Sequence, residues 1–308
     1  MRPPFRTWSL ARNDAAYPEC LLLSPEPPET LYGCGSPGAV RLGLAIIGAR
    51  RATPYGLSCA RLFAGWAAER GVTIVSGAAR GCDMAAHQAA LEAGGSTVAV
   101  LGCGADVDYP PQARALLAEL RRDHAVVAEA PWGSPPAPFA FSRRNRIIAA
   151  LSAAVLVVEA ALPSGTFSTA GHAADAGREV FAVPGSVFSD TSRGCNRLIR
   201  DGGHPVSDVS DLAGLLVQCG LLDDGEPDRL FGNDVSRSPA APVADLVGLD
   251  AATRTTARAL FADPMRPDDA ARALGTDVVT VARALTTLER RGVLARYPDG
   301  RYGPVTRR

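Results

Sequence analysis

Between Leu42 and Val183 the chain alternates short, unbroken apolar runs with longer stretches of helical spacing, and this alternation constrains the fold most. The runs are Leu42–Ile47, Val72–Val75, Thr97–Leu101, Ala125–Ala128, Val155–Val158 and Val180–Val183. Between the first two, Leu57, Ala60, Leu62, Phe63 and Trp66 predict a helix over Tyr55–Arg70, stopped by Gly71. Further helices are predicted from an Asp83 cap through Leu91, then over Pro111–Arg122, Arg144–Ser152 and Gly165–Ala176. Strands that are apolar throughout, with no polar alternation, suit a sheet covered on both faces. Six such units predict a doubly wound, mostly parallel α/β sheet, whose ligands bind beyond the carboxyl ends of the strands.

Around this core lie three other segments. Residues 1–40 read as a lead-in, 41–221 as the α/β domain, and the polar, Pro-containing stretch 222–244 as a linker. Residues 245–308 predict helices over Thr253–Phe261, Pro267–Leu274 and Asp277–Arg291, then a hairpin over Val293–Tyr302 turning at Asp299-Gly300. That order is a winged helix. Its eleven arginines and eight acids leave a net charge of about +3, which does not separate DNA contact from protein contact.

The whole chain balances 32 basic against 32 acidic residues, and every basic residue is arginine. Any polyanion site must therefore be a local patch. Without lysine there is no P-loop of the GxxxxGK[ST] type, no Schiff-base lysine and no kinase lysine. The seven cysteines are widely spaced with no CxxC, which predicts reduced thiols and no zinc site. MRPPFRTWSL lacks the apolar core of a signal peptide, and the run Ile147–Leu162 is too short for a bilayer, so a cytoplasmic location without membrane contact is expected.

Three loops at predicted strand ends are built from small residues: Gly48-Ala49-Arg50-Arg51, Ser76-Gly77-Ala78-Ala79-Arg80-Gly81 and Pro163-Ser164-Gly165-Thr166. Small residues let backbone N–H groups approach an anion, and a helix N-terminus favours it. Gly and Ser are ordinary turn residues, so no loop carries the assignment alone. All three should open on one sheet edge with Arg143-Arg144-Asn145-Arg146, read as the start of a helix where positive charge opposes the macrodipole and invites an anion. Phe139 and Phe141 precede these arginines; each could stack a base or pack onto the sheet. The GxGxxG at Gly33–Gly38 precedes the first apolar run and contains Pro37, which marks a chance match. Neither HExxH nor GxSxG occurs, and the histidines are dispersed. His87 sits among alanines and reads as structural. Glu159 is the one carboxylate at a site-forming strand end, and it reads as orienting a ribose or a loop.

SGAARGCD (Ser76 to Asp83), RNRIIAALS (Arg144 to Ser152) and the stretch Glu159 to Gly185 resemble the DprA/Smf family of bacterial DNA-processing proteins. Tyr17-Pro18, Pro27 to Tyr32, Tyr109-Pro110 and Gly194 to Ile199 fit the same pattern, in the family's order. The resemblance implies an extended Rossmann-like domain that binds single-stranded DNA, a homodimer, and loading of RecA recombinase in natural transformation, without catalysis, metal or cofactor. It implies that Arg50, Arg80, Phe141, Arg144, Asn145 and Arg146 line the DNA pocket. Gly48, Ser76, Gly77, Gly81, Ser164, Gly165 and Thr166 would form its phosphate-binding loops. Ala49 and Ser142 depart from the family's usual serine and proline.

Two rival readings are weighed against this one. A phosphoribohydrolase-like nucleotide enzyme would use Glu159 with Ser164-Gly165-Thr166, but the paired glycines and following glutamate of PGGxGTxxE are missing. A ligand sensor joined to a transcription-factor winged helix is the other.

Overall fold

The computed structural model describes residues 5–223, 248–262, 264–297 and 300–305. It divides into two compact units, Met1–Leu230 and Phe231–Arg308.

The first unit opens with β1 (Thr7–Ala11), α1 (Glu19–Leu22) and β2 (Thr30–Gly35). The alternating region follows as β3 (Gly43–Ile47), α2 (Pro54–Glu69), β4 (Ile74–Ser76), α3 (Cys82–Glu92), β5 (Thr97–Leu101), α4 (Arg114–Asp123) and β6 (Ala125–Ala128). Then come α5 (Pro138–Ala150), β7 (Ser152–Val157), α6 (Thr166–Asp175), β8 (Glu179–Ala182), α7 (Arg193–Arg200), β9 (His204–Pro205) and α8 (Val209–Gln218). These strands form one nine-stranded sheet in the order β1-β2-β6-β5-β4-β3-β7-β8-β9. Pairing is parallel from β6 through β9, while β2 runs antiparallel to both β6 and β1. The expected doubly wound, mostly parallel architecture is what the chain adopts.

The unbroken apolar runs have a direct physical cause. Along β3, Ala45 and Ile47 enter one core cluster while Leu44 and Ile46 enter the other, and β7 divides Val155 and Val157 from Leu156 in the same way. Side chains alternate between faces with period two, and here both faces are buried. One face packs on α5 through Ile147, Ile148 and Leu151, the other on α2 and α3 through Phe63, Ala64 and Ala86.

Residues 7–35, read from sequence as a lead-in, supply two strands of the sheet. β1 has no fully buried residue and β2 contains Gly33 and Gly35, so neither shows the unbroken apolar run of the central strands. Gly33 is glycine because the Trp8 ring occupies its side-chain space: a Cβ there would lie 2.1 Å from Trp8 Cζ2. Helix α5 also differs from expectation. It begins six residues before Arg144, with Pro138 in its first turn, where a missing N–H costs nothing.

The second unit contains α9 (Ala251–Ala262), α10 (Pro267–Leu274), α11 (Val278–Arg290) and the antiparallel pair β10 (Leu294–Arg296) and β11 (Tyr302–Pro304). Gly275 closes α10 at φ +62°, and the Asp277 carboxylate caps α11 by accepting from Thr280 N at 2.9 Å. The element order is the one expected from sequence. Asp299 and residues 224–244 of the expected linker lie outside the described residues. Among the described residues, no helix is long and apolar enough to cross a membrane.

His87 is fully buried, with Nδ1 2.7 Å from Thr97 Oγ1. The Thr97 hydroxyl donates to Ile74 O, so His87 Nδ1 carries the proton and donates. Burial, aided by the Arg144 guanidinium, holds the His87 pKa at about 3. The folded value lies below the unfolded one, so between about pH 6.5 and 3 only the unfolded state is protonated, and stability is lost as pH falls. Wild type should therefore lose about 2 kcal/mol more than His87→Gln between pH 7 and 5, measured by urea unfolding.

Candidate functional site

The chain leaves β3 towards β4 on one side and returns to pair β7 on the other, so the strand order reverses between β3 and β7. Open α/β sheets bind ligands at such switch points. An open cavity of about 510 Å³ lies there, lined by Gly48, Arg50, Asn145, Ser164, Gly165 and Thr166 among others. A smaller hollow of about 70 Å³ adjoins it and is lined by Arg50, Gly77, Arg80, Tyr109, Phe141 and Arg144 among others. The three small-residue loops thus do meet on one edge of the sheet.

The floor of this site is a buried polar cluster. Asp83 was expected to cap α3, but the cap position is Gly81. The Asp83 carboxylate turns to the preceding loop, where Oδ2 accepts from Gly77 N at 3.1 Å and Ala79 N at 3.4 Å. Between them Ala78 adopts φ +51°, the one non-glycine residue with positive φ among the described residues. That conformation costs about 1–2 kcal/mol, which the carboxylate and the closed loop must offset. Arg144 is only 6% exposed, and its Nη1 donates to Gly77 O at 2.8 Å and to Val100 O. Its Nε donates to Asn145 Oδ1 at 3.2 Å. Burial pushes the Asp83 carboxyl upward, while Arg144 and the N–H groups of Ala79, Gly77 and Gly48 pull it back. Burial likewise lowers the Arg144 pKa and Asp83 opposes the change.

The loop glycines answer to this packing. A Cβ at Gly77 would lie 2.3 Å from Arg144 Nη1, one at Gly48 2.7 Å from Cys82 Sγ, and one at Gly81 2.2 Å from Ala49 O. Gly81 also needs φ +83°. The hydroxyls are committed too. Ser76 is buried and donates to Ile46 O at 2.6 Å, so the hydroxyl that the resemblance assigned to phosphate is occupied within the sheet. Ser164 Oγ donates to Thr166 Oγ1 at 2.8 Å and accepts from Thr166 N, fixing the entry to α6.

The arginine run does not sit at a helix start. Because α5 begins at Pro138, Arg143 to Arg146 occupy its middle, and the macrodipole argument does not apply. Helical steps of about 100° per residue splay the four side chains. Arg144 reaches the loop after β4, and Asn145 lines the larger cavity. Arg146 departs from its expected position in the pocket. Its side chain is 8% exposed, with Nη2 2.5 Å from Glu129 Oε1 and Nη1 donating to Glu26 O. Arg143 meets the same Glu129 oxygen at 2.9 Å.

Arg50, Arg51 and Arg80 are exposed and have no ion-pair partner among the described residues. Arg50 lies over the Phe141 ring, with 5.6 Å from Cζ to the centroid, and Phe141 stacks on Tyr109 at 5.3 Å and 28°. Sequence reasoning gave no role to Arg51 or Tyr109. The doublet Arg50-Arg51 was a signal for the first; Tyr109 stood out only through the resemblance. Phe139 does not pack onto the sheet: it is 74% exposed. An aromatic platform, unpaired guanidiniums and N–H-rich loops on one edge suit a ligand that is both anionic and flat-ringed.

Glu159 is held by Thr53. Its Oε2 accepts from Thr53 N at 2.8 Å and its Oε1 accepts from the Thr53 hydroxyl at 2.7 Å. Thr53 Oγ1 in turn accepts from Gly56 N, capping α2. Of the two roles expected for Glu159, this geometry is that of orienting a loop.

A family model described as DNA recombination-mediator protein A matches residues 8–216. Protein Smf of Synechocystis sp. is 38% identical over 231 residues, which are 73% of this chain and 58% of that protein. The chain thus spans less than two thirds of that relative's length. Among solved structures, DNA processing protein A of Streptococcus pneumoniae superposes with a TM-score of 0.65 at 37% identity, over 68% of this chain and 74% of that one. DNA processing protein A of Helicobacter pylori, described with a unique single-stranded DNA binding mode, gives a TM-score of 0.64 at 28% identity, over 71% of this chain and 99% of that one.

The Glu159–Thr53 contact is testable by a double-mutant cycle. Glu159→Ala and Thr53→Ala should each cost about 1–3 kcal/mol in urea unfolding. The double variant should fall short of their sum by at least about 0.5 kcal/mol. A carboxylate kept free for catalysis would leave stability unchanged or raise it when removed.

Proposed function

The chain belongs to the DNA recombination-mediator protein A family, and from that premise we propose that it binds single-stranded DNA along the carboxyl edge of its sheet. The observation that carries this reading is the set Arg50, Arg51 and Arg80, exposed and unpaired among the described residues, around the Tyr109–Phe141 stack. Guanidiniums hold phosphates, aromatic faces stack bases, and neither reads sequence. A chain with no net charge needs such a local patch to attract a polyanion. The Helicobacter pylori protein, similar in fold and described with a single-stranded DNA binding mode, supports the same ligand here.

On this reading the protein works by binding in DNA processing and recombination, protecting incoming strands in transformation and delivering them to RecA as a homodimer. Family membership supports those partners. The engagement of both Glu159 oxygens by Thr53 favours binding over nucleotide hydrolysis. Within the site, Arg50, Arg80, Phe141 and Asn145 would touch DNA, Arg144 would act as a buried positive floor, and Arg146 would act through the fold.

Fluorescence anisotropy with an oligothymidylate tests this. Affinity should fall with salt, and Arg50→Ala and Arg80→Ala should each lower the log–log salt slope by about 0.7. Arg146→Ala should lower stability and leave that slope near wild type. Equal affinity for single and double strands would sink the proposal.

A further inference from the structure

Helix α5 carries its two aromatic residues on opposite sides. Phe139 and Phe141 are two positions apart, so their side chains leave the axis about 200° apart. Phe141 faces the hollow with Arg50 and Tyr109. Phe139 is 74% exposed and lines another open cavity, of about 550 Å³, with Tyr32, Glu129, Pro135 and Arg143. The Tyr32 wall is braced by Trp132, whose ring meets it edge-on at 5.0 Å.

This cavity borders the site. It shares Leu101, Gly102 and Arg144 with the small hollow, and the hollow shares Arg50, Phe141 and Arg144 with the switch-point cavity. All three are lined in part by the first turns of α5. Their electrostatics differ. The switch-point cavity has Arg50 and Arg51, without ion-pair partners among the described residues, whereas the Phe139 cavity sets Glu29 and Glu129 against Arg143 and Arg144. Glu129 is already offset by Arg143 and Arg146 through its Oε1. Such a balanced wall has no surplus positive charge for a phosphate, but it offers a ring face together with hydrogen-bond acceptors and donors, which suits a base.

We propose that the Phe139 cavity is a second base-binding station for the same single strand. The strand crosses the N-terminal turns of α5, with one base at Phe141, a later base stacked on Phe139, and its phosphates turned outward. This rests on the single-strand reading above and extends it to Phe139, a residue to which the family resemblance assigned no role.

The test is a length series of oligothymidylates, from about 4 to about 16 nucleotides, titrated by anisotropy. Wild-type affinity should rise again once the strand is long enough to reach both stations. Phe139→Ala should bind the shortest strands as wild type does and lose about tenfold on the longest, while Phe139→Trp should retain the gain. Strands carrying 5-iodouracil should photo-crosslink to the peptide containing Phe139 only above the same length. Wild-type binding of single strands with no length-dependent difference in Phe139→Ala, or no crosslink at Phe139, overturns the second station alone. Absence of single-strand binding by wild type overturns both readings. Phe139 is exposed, so its replacement should leave the circular dichroism spectrum and the urea midpoint unchanged.

Discussion

The buried contact of Arg144 with Gly77 and Val100, together with Asp83, is the interaction on which the site depends. It joins α5 to the ends of β4 and β5 and, through Asp83, to the start of α3. A guanidinium with five fixed donors can hold two carbonyls and still project charge towards the adjoining hollow. Both groups lose hydration on burial, and each is pushed towards neutrality by it. Removing either would leave the other buried without its opposite charge, which is more costly than the pair is stabilising. The strained Ala78 and the bare Gly77 are consequences: the loop takes the shape that brings two N–H groups to one carboxylate and leaves room for one guanidinium.

How much of this was legible in the sequence depends on how far apart the interacting residues lie. The six central strands could be read because each is buried on both faces, so their apolar runs are unbroken; β5 and β6 match residue for residue. The strands β1 and β2 could not, because Gly33 makes sense only with the Trp8 ring against it. The start of α5 was hidden by Pro135, Pro136 and Pro138, which read as loop although proline also opens helices. In the site, the small-residue loops were legible as a set, but the reason for their glycines was not. Gly77 answers to a residue 67 positions away. Arg146 is the sharpest case. Its partners are Glu129 and the carbonyl of Glu26, 17 and 120 positions distant, and nothing local distinguishes it from Arg144.

Composition describes the charge of the chain poorly and its arrangement explains it well. Arg143 and Arg146 share one carboxylate oxygen, and Arg121 is buried against Asp108 at 2.6 Å. Arg50, Arg51 and Arg80 have no such partner among the described residues and lie on the edge where the parallel strands end. A net charge of zero is therefore compatible with a local positive patch, because the neutralising acids are spent inside the fold and on other faces.

Helix α5 turns that division into geometry. Successive residues step about 100° around it, so one short stretch serves four directions. Arg144 points into the sheet edge, Asn145 into the switch-point cavity, Arg146 towards the lead-in, and Phe139 into a cavity on the far side from Phe141. Each buried arginine fixes the rotation of the helix, and the rotation fixes which aromatic faces which cavity. A flexible ligand loses conformational freedom on binding whatever the protein does, so a protein that has already ordered its own groups loses less in total. Arg146 thus contributes to the site without facing the pocket that sequence assigned it: with Glu129 and the Glu26 carbonyl it locks the helix that presents Phe139, Phe141 and Asn145.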